Sequence, residues 1–197
     1  MRKDISDKLI HFTGPREDWE EAYSRLQSIM IERRIRGGNR FIKGGEFCVC
    51  FTEAPLRLEG LVNPSGYSRY APFGIMIEKN WLFTQGGRPV IYQPDFEFDI
   101  LPQEIRWRHV RYEPTEQEVV DFSWEREWRI QTNELCISPE VAVVILPDEG
   151  WAERIIEDHD MEEEDRILMY SLVLDEHIAE QYREGFGWTI YIPEKNA

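Results

Sequence analysis

Residues 124–130 read WEREWRI, in which large apolar and charged side chains alternate with a period of two. That period suits an extended strand and fits no helix, where residues two apart point in unrelated directions. On such a strand Glu125 and Glu127 share one face, and Trp124, Arg126 and Trp128 share the other. Ionised carboxylates are costly to bury, so an edge strand or a turn is their expected home. In that setting Gln in place of Glu127 is expected to leave the fold intact.

Further short apolar runs lie along the chain. Lys8–Gly14 (KLIHFTG), Phe47–Pro55 (FCVCFTEAP), Phe73–Phe83 (FGIMIEKNWLF) and Arg88–Pro94 (RPVIYQP) read as strands, as do Ile105–Tyr112 (IRWRHVRY), VAVVILP and WTIYIP. Between Gly14 and Gly37, Trp19, Ala22, Tyr23, Leu26 and Met30 recur at helical spacing. Pro15 suits the first turn of that helix, with Glu17 and Asp18 favourable at its positive end. Two more helices are expected, over Glu149–Asp158 and about Glu162–Arg183, separated by the acidic EDHDMEEED. Residues 57–72 read as a loop. Strands in the middle of the order and helices toward its ends predict an α+β fold, with 1–197 as one domain.

Charge is unevenly distributed. The net −15 divides into +2 over residues 1–47, −5 over 48–135 and −12 over 136–197. A balance this acidic argues against non-specific nucleic-acid binding, which depends on neutralising phosphates. The basic stretch Glu32–Lys43 (ERRIRGGNRFIK) is expected to be a solvated helix end and loop rather than a phosphate site. With 42% apolar residues the chain can build a substantial core, and no run approaches the length of a membrane span. Three cysteines do not form a disulfide framework; Cys48, Cys50 and Cys136 read as small buried residues of a cytoplasmic protein.

No P-loop, Rossmann glycine pattern, GxSxG, HExxH or CxxC pair is present, and no metal is expected. The candidates are residues at strand ends: His11 and Thr13 on the first strand, Thr52 on the second, Tyr67, Tyr70 and Phe73 around the loop, and Glu125 and Glu127. A strand with His, an amphipathic helix, an aromatic loop and a late strand with Glu-x-Glu resembles the ADP-ribosyltransferase superfamily. The resemblance implies a mostly antiparallel central sheet flanked by helices, with NAD as substrate. It assigns His11 to holding NAD, one of Tyr67, Tyr70 or Phe73 to stacking on nicotinamide, Glu127 to catalysis at the ribose, and Glu125 to the acceptor. The first strand departs from the family's usual context, reading HFT where HGT or HY is commoner, and the middle motif is only FTE.

A second resemblance spans about the first half of the chain. LIHFTG…LQSIM, FCVCFTEAPL, YAPFGIMIEKNW and GRPVIY, in that order, are similar to the AbiGi-type abortive phage-infection proteins. It implies a role in phage defence or in a toxin–antitoxin pair, with a cognate toxin or antitoxin as partner. The two resemblances lead to two expectations: an NAD-cleaving transferase-like protein, or a non-catalytic antitoxin whose acidic C-terminal surface masks a basic partner.

Overall fold

The computed structural model describes residues 6–53, 70–115 and 119–193. Strand β1 (Lys8–Phe12) leads through a turn to helix α1 (Trp19–Glu32). The helix begins four residues after Pro15, because Asp18 is its N-cap: the Asp18 carboxylate accepts from the Glu21 N–H at 2.8 Å. It ends at Arg33, whose left-handed φ of 52° lets its N–H reach the Ile29 carbonyl. Asp18→Ala is expected to cost about 1 kcal/mol, read from the midpoint of chemical denaturation; an unshifted midpoint would mean that water replaces the cap.

After β2 (Arg34–Arg36) and β3 (Cys48–Thr52), β4 (Gly74–Glu78) is shorter than its apolar run. The expected strand through Phe83 becomes helix α2 (Lys79–Thr84), which turns Leu82 fully into the core. Gly86, at a φ of 103°, then reverses the chain into β5 (Arg88–Pro89) and β6 (Ile91–Gln93). IRWRHVRY is also only partly extended. Gln103–Arg108 is a 3-10 turn that follows Pro102, closed by Trp107 Nε1 donating to the Glu104 carbonyl, and strand β7 covers only His109–Arg111.

The same correction applies to WEREWRI. Asp121 accepts from the backbone N–H and the hydroxyl of Ser123, opening a 3-10 turn over Ser123–Glu125. Arg126 follows in the left-handed region at a φ of 45°, and strand β8 begins only at Glu127, running to Gln131. Glu125 and Glu127 therefore flank a turn instead of sharing a strand face.

Beyond β9 (Glu134–Cys136) and β10 (Ala142–Ile145), one helix, α3 (Glu149–Ser171), runs straight through the acidic segment expected to divide two. Asp148 caps its start, and Ile155, Glu163 and Ile167 face inward along its length. Glu163, inside this acidic segment, is buried: its Oε2 accepts from Arg166 at 2.5 Å and from the Glu184 N–H at 2.8 Å. Helix α4 (Glu176–Glu180) and strand β11 (Thr189–Tyr191) complete the order.

Seven strands form one sheet in the order β11-β10-β4-β1-β3-β8-β5, antiparallel at every pairing except β10 with β11. Two small ladders, β2-β9 and β6-β7, lie outside it. One face of the sheet packs Leu9, Val49, Phe51, Ile75 and Val144 with Tyr23 and Leu26 of α1 and Ile155 of α3. On the other face are Ile10, Met76 and Ile145, and a separate group of Ile42, Cys48 and Trp107. The fold is thus mixed α and β, one domain around a mostly antiparallel sheet. Of the cysteines, Cys48 is buried and Cys50 half-buried, but Cys136 is exposed, because it pairs with Arg34 in the outlying β2-β9 ladder.

Candidate functional site

The strands that carry His11, Thr52 and Glu127 are the neighbours β1, β3 and β8. Ile10 lies opposite Thr52 and Thr52 opposite Glu127, so these three share a sheet face. His11, one residue on, belongs to the other face. There its ring meets Phe51 edge-on at 5.8 Å, on the side covered by α1. His11 and Glu127, which the order of the motifs leads one to expect on one cleft, thus lie on opposite faces of the sheet. They meet at a gap instead, because the β1–β3 ladder is limited to the Ile10–Thr52 pair.

A cavity of about 130 Å³ opens at this gap, bordered by His11, Phe12, Cys50, Thr52, Tyr70, Glu125 and Glu127. Cys50, Tyr70, Glu125 and Glu127 also border a larger cavity of about 400 Å³ between the sheet and β7. Its far wall comes from Phe41, Lys43, Asp95, His109, Arg111 and Phe122. The larger volume lies within the range of cofactor-sized sites.

Glu127 is tightly held. Its two carboxylate oxygens accept from Arg129 Nε at 2.7 Å and Nη2 at 3.1 Å. Arg129 is only 5% exposed, and its Nη1 donates to the Trp107 and His109 carbonyls at 2.9 and 3.0 Å, which fastens the β7 segment to β8. Burial works against the guanidinium's charge, but the Glu127 carboxylate outweighs it, and the pKa is raised. The Glu127 N–H donates to Tyr92 Oη at 3.0 Å; the Tyr92 pKa is pushed up to about 12, chiefly by burial. The Cys50 thiol is held protonated by burial first and by the adjacent Glu127 carboxylate second.

Glu125 is 8% exposed, and Tyr70 Oη donates to its Oε2 at 3.2 Å. Thr52 Oγ1 donates to the Glu125 carbonyl, which ties the end of β3 to the turn before β8. The Tyr70 ring stacks on Phe12, with centroids 5.1 Å apart and planes 13° from parallel. The sequence candidates Thr52, Tyr70, Glu125 and Glu127 are thus brought together on one wall.

His11 Nδ1 lies 2.9 Å from the Cys50 carbonyl. A carbonyl can only accept, so Nδ1 carries the proton and Nε2 is an acceptor in the neutral ring. Burial lowers the His11 pKa from 6.5, partly opposed by this bond. The unfolded chain then takes up a proton near pH 6.5 that the folded protein refuses. Stability contributed by His11 is complete above that pH and declines below it, by at most about 1.4 kcal/mol per pH unit. A His11→Gln variant is expected to lose less stability than the wild type between about pH 7 and pH 5. Parallel pH–stability curves would show that the imidazole protonates freely in the folded state.

Other candidates lie elsewhere. Thr13 donates to the Ala22 carbonyl at 2.7 Å and is buried, joining the end of β1 to α1. Phe73 is fully buried on the helix side, 4.9 Å from the Trp151 ring and 6.1 Å from Tyr23. It immediately precedes β4, whose alternation turns it into the core, so it has no face to offer a ligand. Tyr67 lies outside the described residues. In the basic stretch, Arg34 and Arg36 pair with Glu134 and Glu32, while Lys43 pairs with Asp95 at 2.7 Å on the cavity wall.

The far wall was not visible in the sequence. Its residues come from four separated segments, and the only signal was the density of aromatic and basic residues around Phe41–Lys43. No helix among the described residues is long and apolar enough to cross a membrane. Set against family models, curated proteins and solved structures, the chain matches none of them.

Proposed function

We propose that the cavity at the β1–β3–β8 junction is an ADP-ribosyltransferase-type site that cleaves NAD at the nicotinamide–ribose bond. The observation that carries this reading is the shared wall: Glu125 and Glu127, on either side of the Arg126 turn, both border the two cavities, with Tyr70 at both and Thr52 at the smaller. Sheet order supports it, since the three strands bearing the motif residues are direct neighbours.

The chemistry gives each group a task. As the glycosidic bond breaks, its electron pair leaves with the nicotinamide nitrogen, and positive charge develops on the ribose. Glu127, held in one orientation by Arg129, has further lone pairs for a ribose hydroxyl and supplies negative charge where that cation forms. Glu125 takes the proton from the acceptor as the new bond to C1′ forms. Tyr70 and Phe12, already stacked, offer a flat aromatic surface beside the carboxylates for a planar ring. His11 acts as a positioning residue, bonding the Cys50 carbonyl where the ladder is interrupted. The reading places the protein in a phage-defence or toxin–antitoxin setting, in keeping with the AbiGi-type motifs of its first half. Release of nicotinamide from NAD by the purified chain, and its loss in Glu127→Gln, is the test.

A further inference from the structure

Helix α3 carries apolar residues on two sides, and only one of them is used. At about 100° per residue, Ile155, Glu163 and Ile167 fall on the buried side. Met161 and Leu168 fall together on the opposite side, the C-cap Leu172 continues their line, and the three are 58%, 62% and 70% exposed; Val173, next in the chain, is 81% exposed. Glu157 and Glu164 border this stripe on one flank and Asp165 on the other; all three are exposed and have no ion pair among the described residues. Isolated exposed leucines need no explanation, but a helical stripe of them with an acidic border does.

We infer that this outward face of α3 is a docking surface for a basic amphipathic helix of another protein. Charge decides the occupant. Residues 136–197 carry sixteen acidic against four basic side chains. A second copy would bring acid against acid, whereas a helix with Lys or Arg beside its apolar stripe matches both the stripe and its border. Met161 within the stripe suits a groove-type contact, because its unbranched side chain adapts to the partner's surface. The acidic segment EDHDMEEED thus acts through its outer face alone, since Glu163 is committed to Arg166 and to the chain at Glu184. The inference does not rest on the transferase reading.

The test uses the full chain and a synthetic peptide of about eighteen residues, five helical turns, made of Leu and Lys with Leu at helical spacing. A peptide of the same composition in scrambled order is the control. Calorimetry is expected to show the ordered peptide binding at least about tenfold more tightly than the scrambled one. The double variant Leu168→Ser/Leu172→Ser should weaken binding by a similar factor, with an unchanged circular dichroism spectrum because both residues are exposed. Glu157→Gln/Glu164→Gln should slow association at low salt far more than at about 0.5 M salt. Equal binding of the scrambled peptide, or indifference to the two leucines, would overturn the proposal. Self-association of the chain that disappears in the leucine variant would also overturn it, by giving the face to a second copy.

Discussion

Glu127→Ala is expected to destabilise the fold by about 3–5 kcal/mol, because it leaves a buried guanidinium without its counter-charge. Arg129 is 5% exposed and cannot turn to water without releasing the Trp107 and His109 carbonyls that it also holds. Loss of the carboxylate therefore loosens the attachment of β7 as well as the ion pair. Glu127→Gln keeps one acceptor for the guanidinium and should cost roughly 1.5–3 kcal/mol, the range for a hydrogen bond to a charged group. The amide is thus not the silent replacement that an edge strand would allow. Denaturant midpoints at constant m-value would measure both variants. A loss below about 1 kcal/mol for Glu127→Ala would mean that water screens the pair as it does at a surface.

That prediction shows where local pattern informed and where it did not. Helix α1 was legible because Ala22, Tyr23, Leu26 and Met30 repeat at helical spacing and all four are buried. Its true start depended on which side chain captured a free N–H, and Asp18 did so, not the residues after Pro15. The β3 and β10 runs were legible because nearly every residue is apolar. The alternation of WEREWRI was real only from Glu127 onward. Before it, Asp121 diverts the chain into a turn, and the left-handed Arg126 resets the facing of Glu125. Periodicity cannot register such a break, because it depends on a side-chain hydrogen bond from two residues before the turn.

The site itself was half legible. Residue type alone selected Thr52, Tyr70, Glu125 and Glu127, and these share a wall. It also selected Phe73, which the alternation of β4 turns into the core, and Thr13, which α1 engages. By residue type Arg129, two residues from Glu127 on the same strand face, is expected to pair with a carboxylate at the surface; it does pair with Glu127, but buried. At that spacing a carboxylate and a guanidinium either share solvent or lock together, and which of these happens depends on burial. Here burial comes from the 3-10 turn around Trp107, in a segment whose alternation predicts a strand.

In NAD turnover, Glu127→Gln is expected to reduce nicotinamide release by about 10²–10³-fold, the effect of removing one preorganised charge from the transition state. On the transferase reading the effect should fall on kcat. Arg129 fixes the carboxylate before substrate arrives, so no reorganisation is needed as the ribose becomes cationic, and the neutral ground-state hydroxyl gains less from it than the transition state does. KM should move little, and kcat and kcat/KM should fall together. The stability cost does not mimic this result, provided that turnover is measured where the variant remains folded by circular dichroism. Glu125→Gln, across the Arg126 turn, keeps its backbone bond to Thr52 and should slow transfer to an acceptor by about 10²-fold, as loss of a general base does. Release of nicotinamide at the wild-type rate by Glu127→Gln would remove that residue from the chemistry. A wild-type chain that binds no NAD at millimolar concentration would remove the transferase reading while leaving the ion pair, and its cost to the fold, unchanged.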